Sequence, residues 1–315
     1  MLEMILDSLR VITIPTTTNF RGINHREIAL FKGEQGWAEF SPFLEYDDQE
    51  CVPWLECAIE AATMPTPTLH RSTIAMNGTI PAINDRKKIE EFVALYPGVK
   101  TFKIKIGDNL SEDVARIAWV RSLNRKTAIR VDVNGNWSVE EALRNLYAIY
   151  EEVGALEYVE QPCRTVDELR ELKNKIRIPL KIAGDEVLRK AKDPFSVSLE
   201  GAVDYLMLKV QPLGGIRRAM ELAKHHNLPV IVSSALESAV GISYGLKLAA
   251  ALPTLDFACG LATASLLSNN VGDLPVIDGS IEVADVEPQL DGLDVAPERF
   301  EWWKNRIMRT AELIK

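Results

Sequence analysis

Residues 101–137 read TFKIKIGDNLSEDVARIAWVRSLNRKTAIRVDVNGNW. Two short runs rich in β-branched and apolar residues, TFKIKI (101–106) and AIRVDV (128–133), flank an amphipathic stretch at 111–124 that opens on Ser111 with acids in its first turn. This is the pattern of a strand, a helix and a second strand parallel to the first, with Ser111 the expected N-cap. The alternation continues outward. STIAM (72–76) precedes the unit, and ALEYVE (155–160), LKIAG (180–184), DYLMLKV (204–210), LPVIVSS (228–234) and LDFAC (255–259) follow it. Helices are expected at 138–152, capped by Ser138, and at 165–175, 214–226 and 239–250. Eight such strands with no GxGxxG nucleotide turn after the first favour a closed α/β barrel over an open doubly wound sheet.

The flanks differ from the repeat. Residues 1–70 read as strands VITI (11–14), REIALFKG (26–33) and GWAEFSPF (36–43) followed by a helix over DDQECVPWLECAIEAA (47–62), a small α+β unit. A last helix, ERFEWWKNRIMRTAELIK (298–315), is placed to pack back on that unit, so the expected division is 1–70 with about 285–315 against a barrel over 71–284.

Composition narrows the function classes. A chain of 315 residues, 47% of them apolar, has enough material for a sizeable core, and its 36 basic and 45 acidic side chains leave a net charge of −9. No basic stripe is left over to neutralise phosphates, so nucleic acid is not an expected partner. The start MLEMILDSLRV has no cationic segment followed by an unbroken apolar run, and no window elsewhere approaches a membrane span, so a cytoplasmic protein with no membrane contact is expected. Cys51, Cys57, Cys163 and Cys259 form no CxxC pair and read as reduced thiols. Neither an H-x-x-x-H pair nor a GxSxG elbow occurs; His225 and His226 fall at a helix end, and Gly214-Gly215 reads as a bare turn. The oligomeric state is open, and a monomer fits.

Charges at the ends of the apolar strands carry the chemistry. Lys105, Asp132, Glu160, Asp185 and Lys209 close five successive strands at steps of 27, 28, 25 and 24 residues. One strand, one helix and two turns fill such a step, so all five converge on the C-terminal mouth of a barrel, where active sites are built. A charge in a strand covered by helices is costly unless paired or metal-bound. Asp132, Glu160 and Asp185 together make a hard, all-oxygen set suited to Mg²⁺. Any one of them alone is equally well explained as a helix cap or a lysine's counter-ion; three in register are not. Lys103 and Lys105 share one strand face, with Lys103 as a counter-charge or a substrate contact and Lys105 as the reactive amine, while Lys209 arrives from across the mouth. A metal gripping a carboxylate between two amines suits removal of the proton α to that carboxylate, as enolase-superfamily sites are already known to do. A small-molecule carboxylate is therefore the expected partner. Arg130 stands either as a residue of this site or as its neutralising charge, and Asn134 and Glu186 stand as candidate supporting partners.

KIKIG (103–107), RVDVNGNW (130–137), EYVEQP (157–162), AGDE (183–186) and LMLKVQPLGG (206–215) resemble the muconate-lactonizing subgroup of the enolase superfamily over essentially the whole chain. The resemblance implies a modified TIM (β/α)7β-type barrel with an N-terminal α+β capping domain, Mg²⁺ on Asp132, Glu160 and Asp185, and Lys105 and Lys209 on opposite faces of the substrate. Within the subgroup, the short chain, SSALESAVGISYGLKLAAALP (233–253) and ACGLAT (258–263) look most like the o-succinylbenzoate synthases, carbon–oxygen lyases of menaquinone biosynthesis. By that analogy Lys105 takes the α-proton of 2-succinyl-6-hydroxy-2,4-cyclohexadiene-1-carboxylate and returns it to the departing hydroxyl in a syn dehydration, while Lys209 stabilises the enediolate. N-succinylamino acid racemases of the subgroup use the same lysines and stay open as an alternative. A dipeptide epimerase fits less well, because no acid follows Cys259-Gly260-Leu261 for several residues. A catalytically silent barrel that only binds is the reading of a different class. For the substrate tail the candidates are Ser233, Ser234 and Gly260, with Arg21 from the turn PTTTNFRG (15–22).

Overall fold

The computed structural model describes residues 2–20 and 22–314. The N-terminal unit begins with helix α1 (Leu2–Ser8) and an antiparallel sheet of β1 (Arg10–Phe20), β2 (Ile23–Gly33) and β3 (Gly36–Phe40), in that order across the sheet. Helix α2 (Asp48–Thr63) lies on it, started by a capping box in which Asp47 and Glu50 satisfy each other's backbone N–H groups. Ala29, Phe31, Ala38 and Phe40 of the sheet, Trp54 and Leu55 of α2 and Trp303 and Ile307 of the last helix, α10 (Pro297–Leu313), form one buried cluster. The Trp303 ring stands edge-on to Phe40 at 5.9 Å. The C-terminal helix, which starts at Pro297, thus completes the core of a unit whose own last helix ends at Thr63.

Between them lie β4 (Thr73–Ala75), β5 (Gly78–Ile80), α3 (Arg86–Ala94), β6 (Thr101–Lys105), α4 (Leu110–Leu123), β7 (Ala128–Asp132), α5 (Val139–Val153), β8 (Tyr158–Glu160), α6 (Val166–Lys175), β9 (Ile182–Gly184), α7 (Glu186–Arg189), β10 (Tyr205–Lys209), α8 (Ile216–His226), β11 (Val230–Ser233), α9 (Ala239–Ala251) and β12 (Ser280–Glu282). Strands β5 to β11 form a parallel sheet in sequence order. The eighth expected strand, 255–259, is reduced to bridges: Gly260 N–H donates to Val232 O at 2.8 Å and Cys259 N–H to Ala75 O at 2.7 Å, which joins β11 to the start of the sheet and closes the ring. The run at 72–76 is not the first barrel strand. β4 pairs antiparallel with β12, only Met76 bridges to Cys259, and the barrel starts at Gly78. Ser111 is not the α4 cap either: Asn109, two residues earlier, takes the N–H groups of Ser111 and Glu112, while Ser138 caps α5 as expected.

Apolar side chains alternate with the chemistry along each strand. Ile104, Val131, Val159, Ile182 and Leu208 pack outward against the helices, and Tyr158, Ala183, Met207 and Ile231 fill the barrel interior. Below that layer Tyr205 stacks near Phe257, with centroids 4.7 Å apart. Arg130, fully buried, belongs to this floor: its Nη1 donates to Asn77 Oδ1 at 2.9 Å and Ala258 O at 2.8 Å, Nε reaches Glu157, and its guanidinium lies 4.8 Å from the Tyr158 ring centroid. It does not reach the mouth.

The two units are locked by an acid on a helix N-terminus. Gly214 and Gly215 bring the chain into α8 at φ +85° and +108°, and a Cβ on Gly215 would lie 2.7 Å from Glu60. Glu60 of α2 accepts the Ile216 N–H at 2.7 Å and the Tyr244 hydroxyl at 2.7 Å. The anion at this glycine turn is therefore the protein's own carboxylate, placed where the helix dipole favours negative charge. Glu60→Ala orphans a buried N–H and a buried hydroxyl, a loss of about 1–3 kcal/mol. A melting temperature lowered by about 2–6 °C is expected; an unchanged one would contradict the lock.

Candidate active site

Parallel register sets the site. Lys105 of β6 lies beside Asp132 of β7, Asp132 beside Glu160 of β8, and Lys209 of β10 beside Ser233 of β11. Asp185 follows β9 directly, so three acids and three lysines occupy the same end of neighbouring strands. Asp132 is 1% exposed, Glu160 and Asp185 0%. Each carboxylate is balanced by an amine: Lys105 Nζ lies 2.5 Å from Asp132 Oδ2, Lys103 Nζ 3.0 Å from Glu160 Oε2 and 3.4 Å from Asp132 Oδ2, and Lys209 Nζ 2.5 Å from Asp185 Oδ2.

Burial and charge compete at every group. Burial alone would raise the Asp132 carboxyl, but Lys105 and Lys103 outweigh it and hold it well below the usual range. Asp185 behaves likewise under Arg189 and Lys209. Glu160 goes the other way, pushed up to about 7 by burial and then by the charge of Asp132. Burial disfavours the Lys103 ammonium too, yet Glu160 and Asp132 carry it well above its ordinary value. At Lys105 burial is the larger effect and Lys103 adds to it, so the amine is lowered despite Asp132.

Among the described residues no three His, Cys, Asp or Glu side chains stand in position to hold an ion as they are arranged, because the ammonium groups lie against the carboxylates. The donor set nevertheless fits a hard divalent cation. It is all oxygen, it comes from the C-terminal ends of three adjacent strands, and Glu160 Oε1 is buried with no hydrogen-bond partner among the described residues. Asn134, at φ +54°, supports this edge: its N–H donates to Asp132 Oδ1 at 3.1 Å, its Oδ1 accepts from Lys105 Nζ at 3.0 Å, and its Nδ2 donates to Glu186 Oε1 at 3.2 Å.

Above the charges lies a small cavity. Lys103 and Lys105 line one side and Lys209, Ser233, Ser234 and Gly260 the other, with Phe43 of the N-terminal unit and Leu236 over them. β10 stands four places from β6 in the sheet, which puts Lys209 across the mouth from Lys105. Ser234 Oγ donates to Gly260 O at 2.8 Å and lies 2.6 Å from Thr263 Oγ1. Four of the five expected substrate contacts thus share one cavity; Arg21 lies outside the described residues. A larger cleft at the seam of the two units, beside Trp37, Tyr244 and Lys247, has its charges paired, Lys247 with Asp285 and Glu287 with Lys32.

Several residues that shape the site have no motif of their own. Gln161 Oε1 accepts the N–H groups of Asp185 at 3.0 Å and Val187 at 3.2 Å, fixing the turn after β9. Arg189 holds Asp185 through Nε at 3.0 Å; one helical turn separates the two, the only sequence signal that pointed to it. From the N-terminal unit, Arg26 Nε donates to Leu236 O at 3.1 Å, where Leu236 is held at φ +64°. Glu39 of β3, 4% exposed, accepts from Ser238 Oγ at 2.5 Å and Gly241 N–H at 2.9 Å and so caps α9 from the other unit. Glu237 is equally buried and accepts the Ala235 N–H at 2.6 Å; burial and then the charge of Glu39 push its carboxyl up to about 7.

The folded state therefore holds the Glu237 proton more tightly than the unfolded chain does. Its contribution to stability is fully present at low pH and is lost as pH rises through about 7. Glu237→Gln is expected to melt about 2–4 °C above the unsubstituted protein at pH 8, with no difference at pH 5. Parallel melting curves across that range would contradict it.

Comparison with known proteins places this geometry. Residues 86–297 match the family described as Enolase C-terminal domain-like and residues 11–62 that described as Enolase N-terminal domain-like. The chain is 44% identical over 317 residues to the o-succinylbenzoate synthase of Mycobacterium ulcerans, covering 98% of this chain and 95% of that one. It is 42% identical over 320 residues to that of Mycobacterium tuberculosis, covering 99% and 96%. Among solved structures, the muconate lactonizing enzyme of Pseudomonas putida superposes with a TM-score of 0.71 at 18% identity over 93% of this chain and 97% of that one. The L-Ala-D/L-Glu epimerase of Bacillus subtilis superposes with a TM-score of 0.73 at 19% identity over 91% and 98%. At such identities the likeness speaks for the fold alone.

Proposed function

The chain belongs to the enolase superfamily, and on that premise we propose that it is an o-succinylbenzoate synthase, a carbon–oxygen lyase like its relatives of 42–44% identity. One observation carries the proposal beyond the shared name: Lys105 and Lys209 face one cavity from opposite sides, beside three carboxylates at the C-terminal ends of three adjacent strands. Lys105 Nζ takes the proton α to the substrate carboxylate, and the same proton leaves with the hydroxyl group as water, so one amine serves both steps on one face. The electrons of the broken C–H bond pass through the enediolate into the new ring double bond. Lys209 stabilises that negative charge from the other face. Asp132, Glu160 and Asp185 would hold Mg²⁺, which supplies charge neutralisation at the substrate carboxylate. Lys103, pinned between Glu160 and Asp132, keeps the acids compensated at the cavity floor. Ser233, Ser234 and Gly260 line the wall available to the succinyl tail, and Arg21 is assigned to the same tail from the sequence. We place the enzyme in the cytoplasm: among the described residues no helix is long and apolar enough to cross a membrane, and all four cysteines are free and buried.

Incubated with Mg²⁺ and 2-succinyl-6-hydroxy-2,4-cyclohexadiene-1-carboxylate, the purified protein is expected to form o-succinylbenzoate. Racemisation of N-succinylamino acids with no dehydration would overturn the proposal in favour of a racemase, and no turnover of either would leave a binding protein. Lys105→Ala should lower kcat by about 10²–10⁴ with the fold intact; activity within tenfold of the original would remove Lys105 from the role of base. Mg²⁺ should raise the melting temperature of the unsubstituted protein and not that of Asp185→Asn.

A further inference from the structure

Arg189 stands where three parts of the molecule meet. Its side chain is 4% exposed and ends the four-residue helix α7, which follows Asp185 directly. Both Leu188 and Arg189 N–H groups donate to Asp185 O at 3.0 Å, so the chain doubles back and aims the guanidinium at the carboxylate it has just left. All three of its nitrogens are engaged: Nε donates to Asp185 Oδ1 at 3.0 Å, Nη2 to Glu186 Oε1 at 2.7 Å and Nη1 to Tyr46 Oη at 3.1 Å. Tyr46 belongs to the N-terminal unit, in the segment that also carries Phe43 over the cavity. That segment is fixed from behind by Arg306 of α10, buried at 1% exposure, whose Nη2 donates to Phe43 O at 3.1 Å and Tyr46 O at 2.6 Å.

We propose that Arg189 is a positioning residue that turns Asp185 for the metal and ties that orientation to the seating of the N-terminal unit through Tyr46; the inference rests on Asp185 being a metal ligand, as in the proposed function. Two observations separate this from simple charge balance. Lys209 already neutralises Asp185 through Oδ2, so the guanidinium is not required as a counter-ion. Arg189 instead takes the other oxygen, so both carboxylate oxygens are held, while Gln161 fixes the backbone of the same residue through its N–H. An outer hydrogen bond of this kind sets the direction of a ligand, and its loss typically weakens metal binding about 10–100-fold. Loss of a mere counter-charge would instead tighten binding, by leaving the acids more negative.

The test is Mg²⁺ titration by calorimetry into the full-length protein and its Arg189→Met, Arg189→Lys, Tyr46→Phe and Asp185→Asn variants, with circular dichroism to confirm folding. Arg189→Met is expected to raise the Mg²⁺ Kd at least tenfold. Arg189→Lys should do nearly the same, because one ammonium cannot bond Asp185, Glu186 and Tyr46 at once. Tyr46→Phe should raise it less, about two- to fivefold. If Arg189→Met does not fold, Arg189→Lys and Tyr46→Phe decide. Mg²⁺ binding within threefold of the original in both Arg189 variants, or tighter, overturns the positioning role while Asp185→Asn still loses binding. Should Asp185→Asn bind Mg²⁺ normally, the ligand assignment and the proposed function fail with it.

Discussion

Six charges meet at one end of a closed barrel, and the structure depends on their mutual compensation. Removing a carboxylate or an ammonium from water costs several kcal/mol, and a buried ion left without its partner destabilises by about 3–5 kcal/mol. Asp132, Glu160 and Asp185 are 0–1% exposed, so each needs an amine within contact distance, and Lys105, Lys103 and Lys209 provide them at 2.5–3.0 Å. Compensation of this kind demands register. A slip of one residue in any strand would turn its charge into the helix layer and leave an unpaired ion behind. The same condition makes chemistry available, since an amine held at a carboxylate in the resting protein is already aimed at the place where substrate and cation would meet.

The N-terminal unit does more than cover this end of the barrel. It supplies acids to two barrel helices, Glu60 to the start of α8 and Glu39 to the start of α9, each buried against backbone N–H groups that would otherwise face apolar surroundings. Helix N-termini point toward the mouth because every helix leaves the C-terminal end of a strand, so an acidic cap is the electrostatically matched partner. Arg26 then fixes Leu236, and α10 fixes the segment carrying Phe43, so residues from both ends of the chain define the roof of the cavity.

Much of this was legible in the sequence, and the reason is local. Strands covered by helices on one face and packed interior on the other read as short apolar runs, and charges at their ends stand out against them, which is how Lys105, Asp132, Glu160, Asp185 and Lys209 were found. Whatever depends on contacts between distant segments was not legible. The first barrel strand moved from 72–76 to Gly78–Ile80 because β4 found β12, more than 200 residues later, as its antiparallel partner. The eighth strand is reduced to two bridges, one from Gly260 to Ser233 and one from Cys259 to Met76. Ser111 lost the cap to Asn109 because both side chains suit that role and only the turn geometry separates them. Arg130 shares a strand face with Asp132 but sits one layer lower, where Glu157 and Asn77 hold it. Glu39, Arg26 and Tyr46 carry no motif, since each acts on a residue more than a hundred positions away.

The proposed chemistry rests on one arrangement: three acids and two amines around one divalent ion and one substrate. A crystal structure of the protein with Mn²⁺ and o-succinylbenzoate tests it most directly, because the anomalous signal of manganese locates the ion without reference to the chemistry. A single peak bonded to Asp132, Glu160 and Asp185 is expected, with Lys105 and Lys209 turned from the acids toward opposite faces of the bound product. A peak elsewhere, or both lysines still paired with the carboxylates beside an ordered product, would contradict it.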